Sequence, residues 1–186
     1  MHTALGTRIT LGGLGGTGKG STSELLALVL GFKLMSAGKY FRHFAIAEGV
    51  ANEEIEERAI VDPKYDKMLD DWTKEYGLAN DHFVFEGRLA HHFIKGVHIL
   101  LTCDLETRVK RIAGREKLLF EKAMLMTKHR EEAAAKRYMK YYKILDITDP
   151  SHYTFVVDTT DITAEEVADK IISFLKLRGE YHPLAK

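Results

Sequence analysis

A glycine-rich segment near the start of the sequence carries the residue types that bind phosphate groups. In "GGLGGTGKGST", Gly13, Gly18 and Lys19 fit the pattern G-x-x-x-x-G-K, with an apolar run before it and a helical pattern after it. Glycines let backbone N–H groups approach an anion, the following helix adds free N–H groups, and the lysine adds a positive charge. The pattern predicts a nucleotide phosphate loop; a plain glycine-rich turn between strand and helix is the alternative. We expect phosphate contacts from Gly13, Leu14, Gly15, Gly16, Thr17, Gly18, Lys19, Gly20, Ser21 and Thr22.

The residue after the lysine narrows the class of loop. Many such loops have a Mg²⁺-binding Ser or Thr at that position, whereas here Gly20 occupies it and the hydroxyls of Ser21 and Thr22 follow. The order G-x-G-G-x-G-K-G-S resembles the G-x-P-G-x-G-K-G-T loop of adenylate kinases and their relatives, with Gly15 in place of proline. This resemblance implies a Mg²⁺ cofactor held mostly by phosphates and water, with help from Ser21 or from Glu86 at the end of a predicted strand.

Two arginines indicate a second anion site. Arg42 in "SAGKYFR" and Arg88 in "FVFEGRL" each follow a strand that ends in a turn of small residues. The carboxyl ends of neighbouring parallel strands form the crevice in which such sheets bind ligands, and a guanidinium donates two parallel hydrogen bonds to a phosphate. Either arginine alone could be a solvated helix residue. Their shared position predicts a site for an acceptor that faces the phosphate loop.

A charged segment after the fourth predicted strand carries further arginines. Arg108, Arg111 and Arg115 form one stripe of a helix, and Arg130 and Arg137 project about 10 Å apart from one face of another. A solvated charged hairpin is the alternative interpretation. Phosphoryl transfer, however, requires alignment, charge neutralisation and exclusion of water, which arginines on a mobile lid provide. We therefore expect these side chains to act in catalysis: Lys19, Arg111, Arg115, Arg130 and Arg137.

These side chains need a scaffold, and strand-like apolar stretches alternate with helical ones along the chain. The patterns predict strands at 8–13, 32–38, 82–87, 97–103 and 153–158. They predict helices at 21–30, 39–49, 52–60, 64–76, 105–115, 118–143 and 163–176. Such alternation predicts a five-stranded parallel sheet covered by helices on both faces, which is a three-layer α/β/α sandwich.

The composition excludes several classes of protein. The 186 residues suit one domain, and the 27 basic and 27 acidic residues cancel, so no overall field attracts nucleic acid or a membrane. The single cysteine, Cys103, argues against a disulfide scaffold and is predicted to be a buried core thiol. The sequence has no signal-peptide pattern and no apolar run of membrane-spanning length. We expect a cytoplasmic monomer without a nucleic-acid or membrane partner.

Six segments resemble, in order and spacing, the cytidylate kinases of the short, archaeal type. They are "LMSAGKYFR", "VDPKYDKMLDDW", "FVFEGRLAHHF", "LETRVKRIAGRE", "HREEAAAKRYMKYYKI" and "YTFVVDTTDITAEEVADKI". The resemblance covers about residues 8–175, and the long insert of bacterial cytidylate kinases is absent. It implies the P-loop NTPase fold with strand order 2-3-1-4-5 and a helical lid. The implied single domain, 1–186, would comprise a core at 7–36, 80–115 and 150–178, a nucleoside-monophosphate region at about 37–79 and the lid at about 116–147.

The resemblance also implies a reaction, in which the γ-phosphoryl group of ATP passes to CMP or dCMP. It assigns the acceptor to Ser36, Gly38, Arg42, Gly87 and Arg88, and it puts Arg111 near the adenine. Ala37 stands where relatives have a hydroxyl, and Ala134 where they have an acidic residue that helps to bind the sugar. The residues themselves leave open a kinase of the same fold that acts on AMP, UMP or a non-nucleotide, and a nucleotide-binding regulator without catalysis.

Overall fold

A computed structural model describes residues 7–179, without the side chains of Asn52, Glu53 and Glu56. Both ends of the predicted domain 1–186 lie outside the described residues. The sheet has five parallel strands in the order β2-β3-β1-β4-β5, which confirms the implied order and the α/β class. The strands are β1 (Arg8–Gly12), β2 (Lys33–Ser36), β3 (Phe83–Glu86), β4 (Val97–Thr102) and β5 (Phe155–Asp158).

Helices cover both faces of this sheet. Those within the described range are α1 (Lys19–Leu30), α2 (Ala37–Glu48), α3 (Asn52–Val61), α4 (Lys64–Ala79), α5 (Ala90–Phe93), α6 (Leu105–Glu116), α7 (Phe120–Tyr142) and α8 (Ala164–Leu177), with a 3₁₀ turn at Pro150–His152. Helix α8 begins with the capping box that the sequence predicts, since Thr163 and Glu166 bond each other's backbone N–H groups. Helices α6 and α7 form a hairpin joined at Lys117, which has a φ of 54°.

The core sits on the two faces of the central strands. On one face, Leu11 and Ile99 are fully buried with Leu26 of α1 and Ile171 of α8. On the other face, the aromatic residues of β3 pack with side chains from α4 and α5. Strands buried on both faces explain the continuous apolar runs of the sequence. The sheet is therefore a rigid platform, and the loops at its carboxyl edge carry the candidate site.

Three predicted helix starts, those of α1, α2 and α7, are wrong by two residues, and one short helix, α5, was not predicted. Helix α1 begins at Lys19 because Gly18, with a φ of 85°, already turns the chain into the helix. Helix α2 begins at Ala37 because the Ser36 hydroxyl accepts a hydrogen bond from the backbone N–H of Lys39 and caps it. Both helices thus start directly at the ends of their strands, which brings their first turns into the crevice.

Candidate functional site

The phosphate loop connects β1 to α1, as the glycine pattern predicts. A Cβ atom on Gly13, whose φ is 133°, would lie 2.4 Å from the carbonyl oxygen of Leu101. A Cβ atom on Gly16, whose φ is 82°, would lie 2.5 Å from the carbonyl oxygen of Arg108. Only glycine fits these two positions without displacing β4 or α6. The loop is therefore clamped between neighbouring elements, with its backbone at the open edge of the sheet.

Lys19 lies in a cationic environment beneath the loop. Its Nζ donates a hydrogen bond of 2.7 Å to the carbonyl oxygen of Leu14. Burial lowers the pKa of Lys19 to about 8, with further lowering by the charge of Arg88 and smaller contributions from Arg108 and Arg115; Glu86 opposes the shift. So many cations at one point repel each other, and an anion bound among them would relieve that repulsion.

A cleft of about 410 Å³ opens beside the loop, and we call it the donor cleft. Its walls are the phosphate loop, α6, the segment after β5 and the start of α8. Arg111 donates to the carbonyl oxygen of Thr159 at 2.7 Å and to that of Gly16 at 3.4 Å, and the Thr159 hydroxyl donates to the carbonyl oxygen of Thr17 at 3.0 Å. Arg111 thus ties the segment after β5 to the tip of the loop. Arg115 lines the same cleft, and the volume suits a small-molecule ligand.

A second cleft, of about 150 Å³, lies between α3, α7 and the turn after β3, and we call it the arginine cleft. Three guanidiniums line it, and they belong to Arg88, Arg130 and Arg137. Arg88 Nη2 would lie 3.9 Å from a Cβ atom on Gly15, so this cleft borders the tip of the phosphate loop. The structure therefore divides the four predicted lid arginines: Arg111 and Arg115 line the donor cleft, whereas Arg130 and Arg137 line the arginine cleft.

Arg108 braces the loop against the lid, which the sequence did not predict. It is 5% exposed and donates hydrogen bonds to the carbonyl oxygen of Gly15 at 3.1 Å and to the carboxylate of Glu131 at 2.5 Å. The bond to Glu131 joins α6 to α7, and the bond to Gly15 joins both to the loop. Because Arg108 lies three residues before Arg111, the sequence already placed both on one face of a helix. Only the tertiary structure shows that Arg108 holds elements together whereas Arg111 lines a cleft.

Two acidic residues of α4 meet α7 behind the arginine cleft, and they too were missed. Asp66 Oδ2 lies 3.1 Å from Arg137 Nε, and both residues are buried. Burial raises the pKa of Asp66, and the charge of Arg137 opposes that shift. The Tyr142 hydroxyl donates to the carboxylate of Asp70, whose pKa burial raises to about 6. The contacts span 71 to 72 residues of sequence, so local patterns carry no signal for them.

The turns after β2 and β3 meet where the acceptor site was predicted. The Ser36 hydroxyl donates to Glu86 Oε2 at 3.0 Å, and a Cβ atom on Gly87 would lie 3.0 Å from that of Ala37. Arg42 is exposed, and its Nη1 would lie 3.7 Å from a Cβ atom on Gly38. The structure thus brings Ser36, Glu86 and Gly87 together. Among the residues described, Arg42 lines neither the donor cleft nor the arginine cleft.

The described residues offer few protein ligands for a Mg²⁺ ion, which fits an ion held mostly by phosphates. Within residues 7–179, no group of three or more His, Cys, Asp or Glu side chains could hold a metal ion. Mg²⁺ usually keeps several waters and binds one or two carboxylates together with substrate phosphates. Glu86 is close enough to Lys19 to raise its pKa, and Ser21 lines the donor cleft. Thr22 is buried, and its hydroxyl has no hydrogen-bond partner in the same range.

The prediction that Cys103 is a buried core thiol is wrong. It follows β4 rather than ending it, and it is partly exposed at the edge of the sheet. Arg111 Nη1 lies 3.5 Å from its sulfur, so Cys103 belongs to the surroundings of the donor cleft.

Across the described part of the chain, no helix is both long enough and apolar enough to cross a membrane.

Some known proteins are similar to this chain in sequence, and others are similar to it in fold. The cytidylate kinase-like family matches residues 8–161. The chain is similar to the cytidylate kinase of Methanosphaerula palustris, with 40% identity over 82% of this chain and 88% of the relative, and to that of Methanospirillum hungatei, with 38% identity over 87% and 92%. The structure of shikimate kinase from Acinetobacter baumannii has a TM-score of 0.61 and 15% identity over 92% of this chain and 94% of that one, which shows the fold alone. The sequence match over most of the chain shows that it belongs to the cytidylate kinase-like family.

Proposed function

We propose that the protein transfers the γ-phosphoryl group of ATP to CMP or dCMP, which gives ADP and CDP or dCDP. The observation that carries the proposal is that the arginine cleft opens beside the tip of the phosphate loop. Arg88 connects the two, because it lines that cleft, approaches Gly15 and lowers the pKa of Lys19 by its charge. The relatives named cytidylate kinase supply the acceptor, since the geometry alone favours only a phosphate-bearing one.

The donor cleft holds ATP in this proposal. The backbone N–H groups of the loop and the Lys19 ammonium bind the phosphates, assisted by the first turn of α1. The adenine lies toward Arg111 and Thr159, where the guanidinium and backbone of the segment after β5 form a wall. Arg115 is on the same wall with an exposed side chain that can reach a phosphate.

The arginine cleft holds the nucleoside monophosphate. Arg88, Arg130 and Arg137 surround its phosphate, and Ser36 and Gly87 border it through the joined turns. Arg42, in the second turn of α2, joins them when its side chain turns away from Gly38. A base enters between α3 and α7, where Ile60 and Met126 supply apolar walls and Glu57 and His129 supply polar edges.

Catalysis then rests on alignment and charge. An acceptor phosphate oxygen attacks the γ-phosphorus in line with the departing ADP oxygen, so no general base is required. Lys19 and the arginines of both clefts neutralise the charge spread over the transferred group. Mg²⁺, when bound, would supply positive charge that offsets the charge of the phosphates, and Glu86 and Ser21 are the residues that would help to hold it, partly through water. Closure of the lid, at about residues 116–147, excludes water that would otherwise hydrolyse ATP.

The experiment that tests this proposal measures ADP release over a panel of acceptors. We expect turnover with CMP and dCMP that exceeds turnover with AMP, UMP or small non-nucleotide alcohols. Turnover of another acceptor, with CMP and dCMP inert, would overturn the cytidylate assignment, and ATP binding without transfer to any acceptor would favour a regulator. We also infer a monomer, because the described residues of one chain supply the walls of both clefts; sedimentation of the free protein tests its oligomeric state.

A further inference from the structure

A buried ion pair joins α4 to α7 on the inner side of the arginine cleft. Asp66 is 6% exposed and Arg137 is 8% exposed, and their Oδ2 and Nε atoms are 3.1 Å apart. Neither of these two atoms has a hydrogen-bond partner within residues 7–179, so the contact is one of charge rather than of an aligned hydrogen bond. Arg137 also lines the arginine cleft. One edge of its guanidinium therefore lies against Asp66, while the side chain also faces the cleft.

Stability does not explain this pair. Removing two charges from water costs several kcal/mol for each ion, and apolar residues of the same volume are often as stabilising or more so. What a single carboxylate at Nε supplies is geometry. It attracts the Nε edge of the guanidinium by its charge, and it leaves the two Nη groups to donate the parallel hydrogen bonds that suit a phosphate.

A second contact between the same two helices supports this interpretation. Asp70 lies one turn after Asp66 on the same face of α4, and it accepts a hydrogen bond from the Tyr142 hydroxyl. Asp66 and Asp70 thus set the position of the C-terminal half of α7 against α4. By contrast, Arg130 lies 3.5 Å from Glu116 of the hairpin and is partly exposed. Arg137 therefore contacts α4 through Asp66, whereas this contact of Arg130 is with α6, the other helix of its own hairpin.

We infer that Asp66 is a positioning residue for the acceptor phosphate, which it serves by orienting Arg137 in the arginine cleft. This inference rests on the proposed function, because it takes the ligand of that cleft to be the phosphate of CMP. Asp66 lines neither the donor cleft nor the arginine cleft, so its removal should weaken acceptor binding through Arg137 and leave donor binding unchanged.

Asp66→Asn tests the inference by calorimetric titration of CMP and, separately, of ATP. We expect the affinity for CMP to fall by about 10- to 100-fold, as for loss of a well-placed bond to a charged group, and the affinity for ATP to stay within about twofold. Asp71→Asn is the matched control, since Asp71 is exposed on the same helix, and it should change neither affinity. An unchanged CMP affinity in Asp66→Asn, or an equal loss for both ligands, would overturn the inference.

A double-mutant cycle separates positioning from general damage. If Asp66 acts through Arg137, adding Asp66→Asn to Arg137→Met should weaken CMP binding no further. Additive losses would contradict that route. Should Asp66→Asn not fold, Asp66→Glu retains the charge but displaces it, and it should weaken CMP binding with ATP binding unchanged; full CMP affinity in that variant would overturn the inference. A wild-type protein that binds ATP but not CMP would instead overturn the proposed function and this inference with it.

Discussion

The affinity of the protein for ATP is expected to fall as the pH rises from 7 to 9. Burial, the charge of Arg88 and the smaller effects of Arg108 and Arg115 lower the pKa of Lys19 to about 8. Lys19 is then protonated in about nine-tenths of molecules at pH 7 and about one-tenth at pH 9. The terminal phosphate of ATP is already ionised in this range, because its second pKa is about 6. If the neutral amine contributes nothing, affinity falls about tenfold, which is about 1.4 kcal/mol.

Calorimetric titration of ATP measures both this affinity and the proton that accompanies it. Bound phosphate raises the pKa of Lys19, so binding takes up about half a proton at pH 8, which two buffers of different ionisation enthalpy reveal. Lys19→Arg is the matched control, because a guanidinium stays charged and the affinity of that variant should not fall between pH 7 and 9. A constant wild-type affinity with no buffer dependence would refute the reasoning, as would an equal fall in Lys19→Arg.

Three further predictions follow from the same geometry. Arg88→Ala should lower kcat/KM for CMP by about 100-fold or more and leave the ATP affinity within about twofold, and titration showing an equal loss of ATP binding would contradict its assignment to the acceptor. Gly16→Ala should destabilise the fold by about 2 kcal/mol or more in urea unfolding, because its Cβ would meet the Arg108 carbonyl, whereas Gly20→Ala, with open space around it, should cost little. Burial raises the pKa of Asp70 to about 6 in the folded state, so the stability that Asp70 contributes is present below about pH 4 and is lost as the pH rises through 6. The free energy of unfolding should therefore decline between pH 4 and 7. Asp70→Asn should remove about 1–2 kcal/mol of that decline, after allowance for solvent screening. An identical decline in wild type and Asp70→Asn would show that Asp70 does not cause it.

The sequence predicted what local patterns determine. The glycine loop, the apolar strands and the capping box of Thr163 and Glu166 each depend on residues within a few positions of one another, and all three are present. The strand order came from the resemblance, because alternating strands and helices do not specify which strands are neighbours. Helix α5 is only four residues long, which is too short for a helical period to be recognised in the sequence.

Long-range contacts account for the rest. The pairing of Asp66 with Arg137 depends on how α4 and α7 meet, and Arg108 differs from Arg111 only in what packs against it. The exposed position of Arg42 likewise depends on side-chain rotamers at the first turns of α2, which the helical pattern does not specify. Spacing could therefore identify the arginines as a set, but only tertiary packing assigns each one to a cleft.

Transfer of label from ATP tests the central claim most directly. ATP labelled at the γ-phosphate is mixed with an excess of enzyme and with CMP, and the products are separated after a single turnover. The account predicts that the label appears as the β-phosphate of CDP, that dCMP also accepts it, and that Arg88→Ala largely prevents the transfer while ATP remains bound. Label that appears only as inorganic phosphate, or that passes to another acceptor while CMP stays unlabelled, would contradict the account.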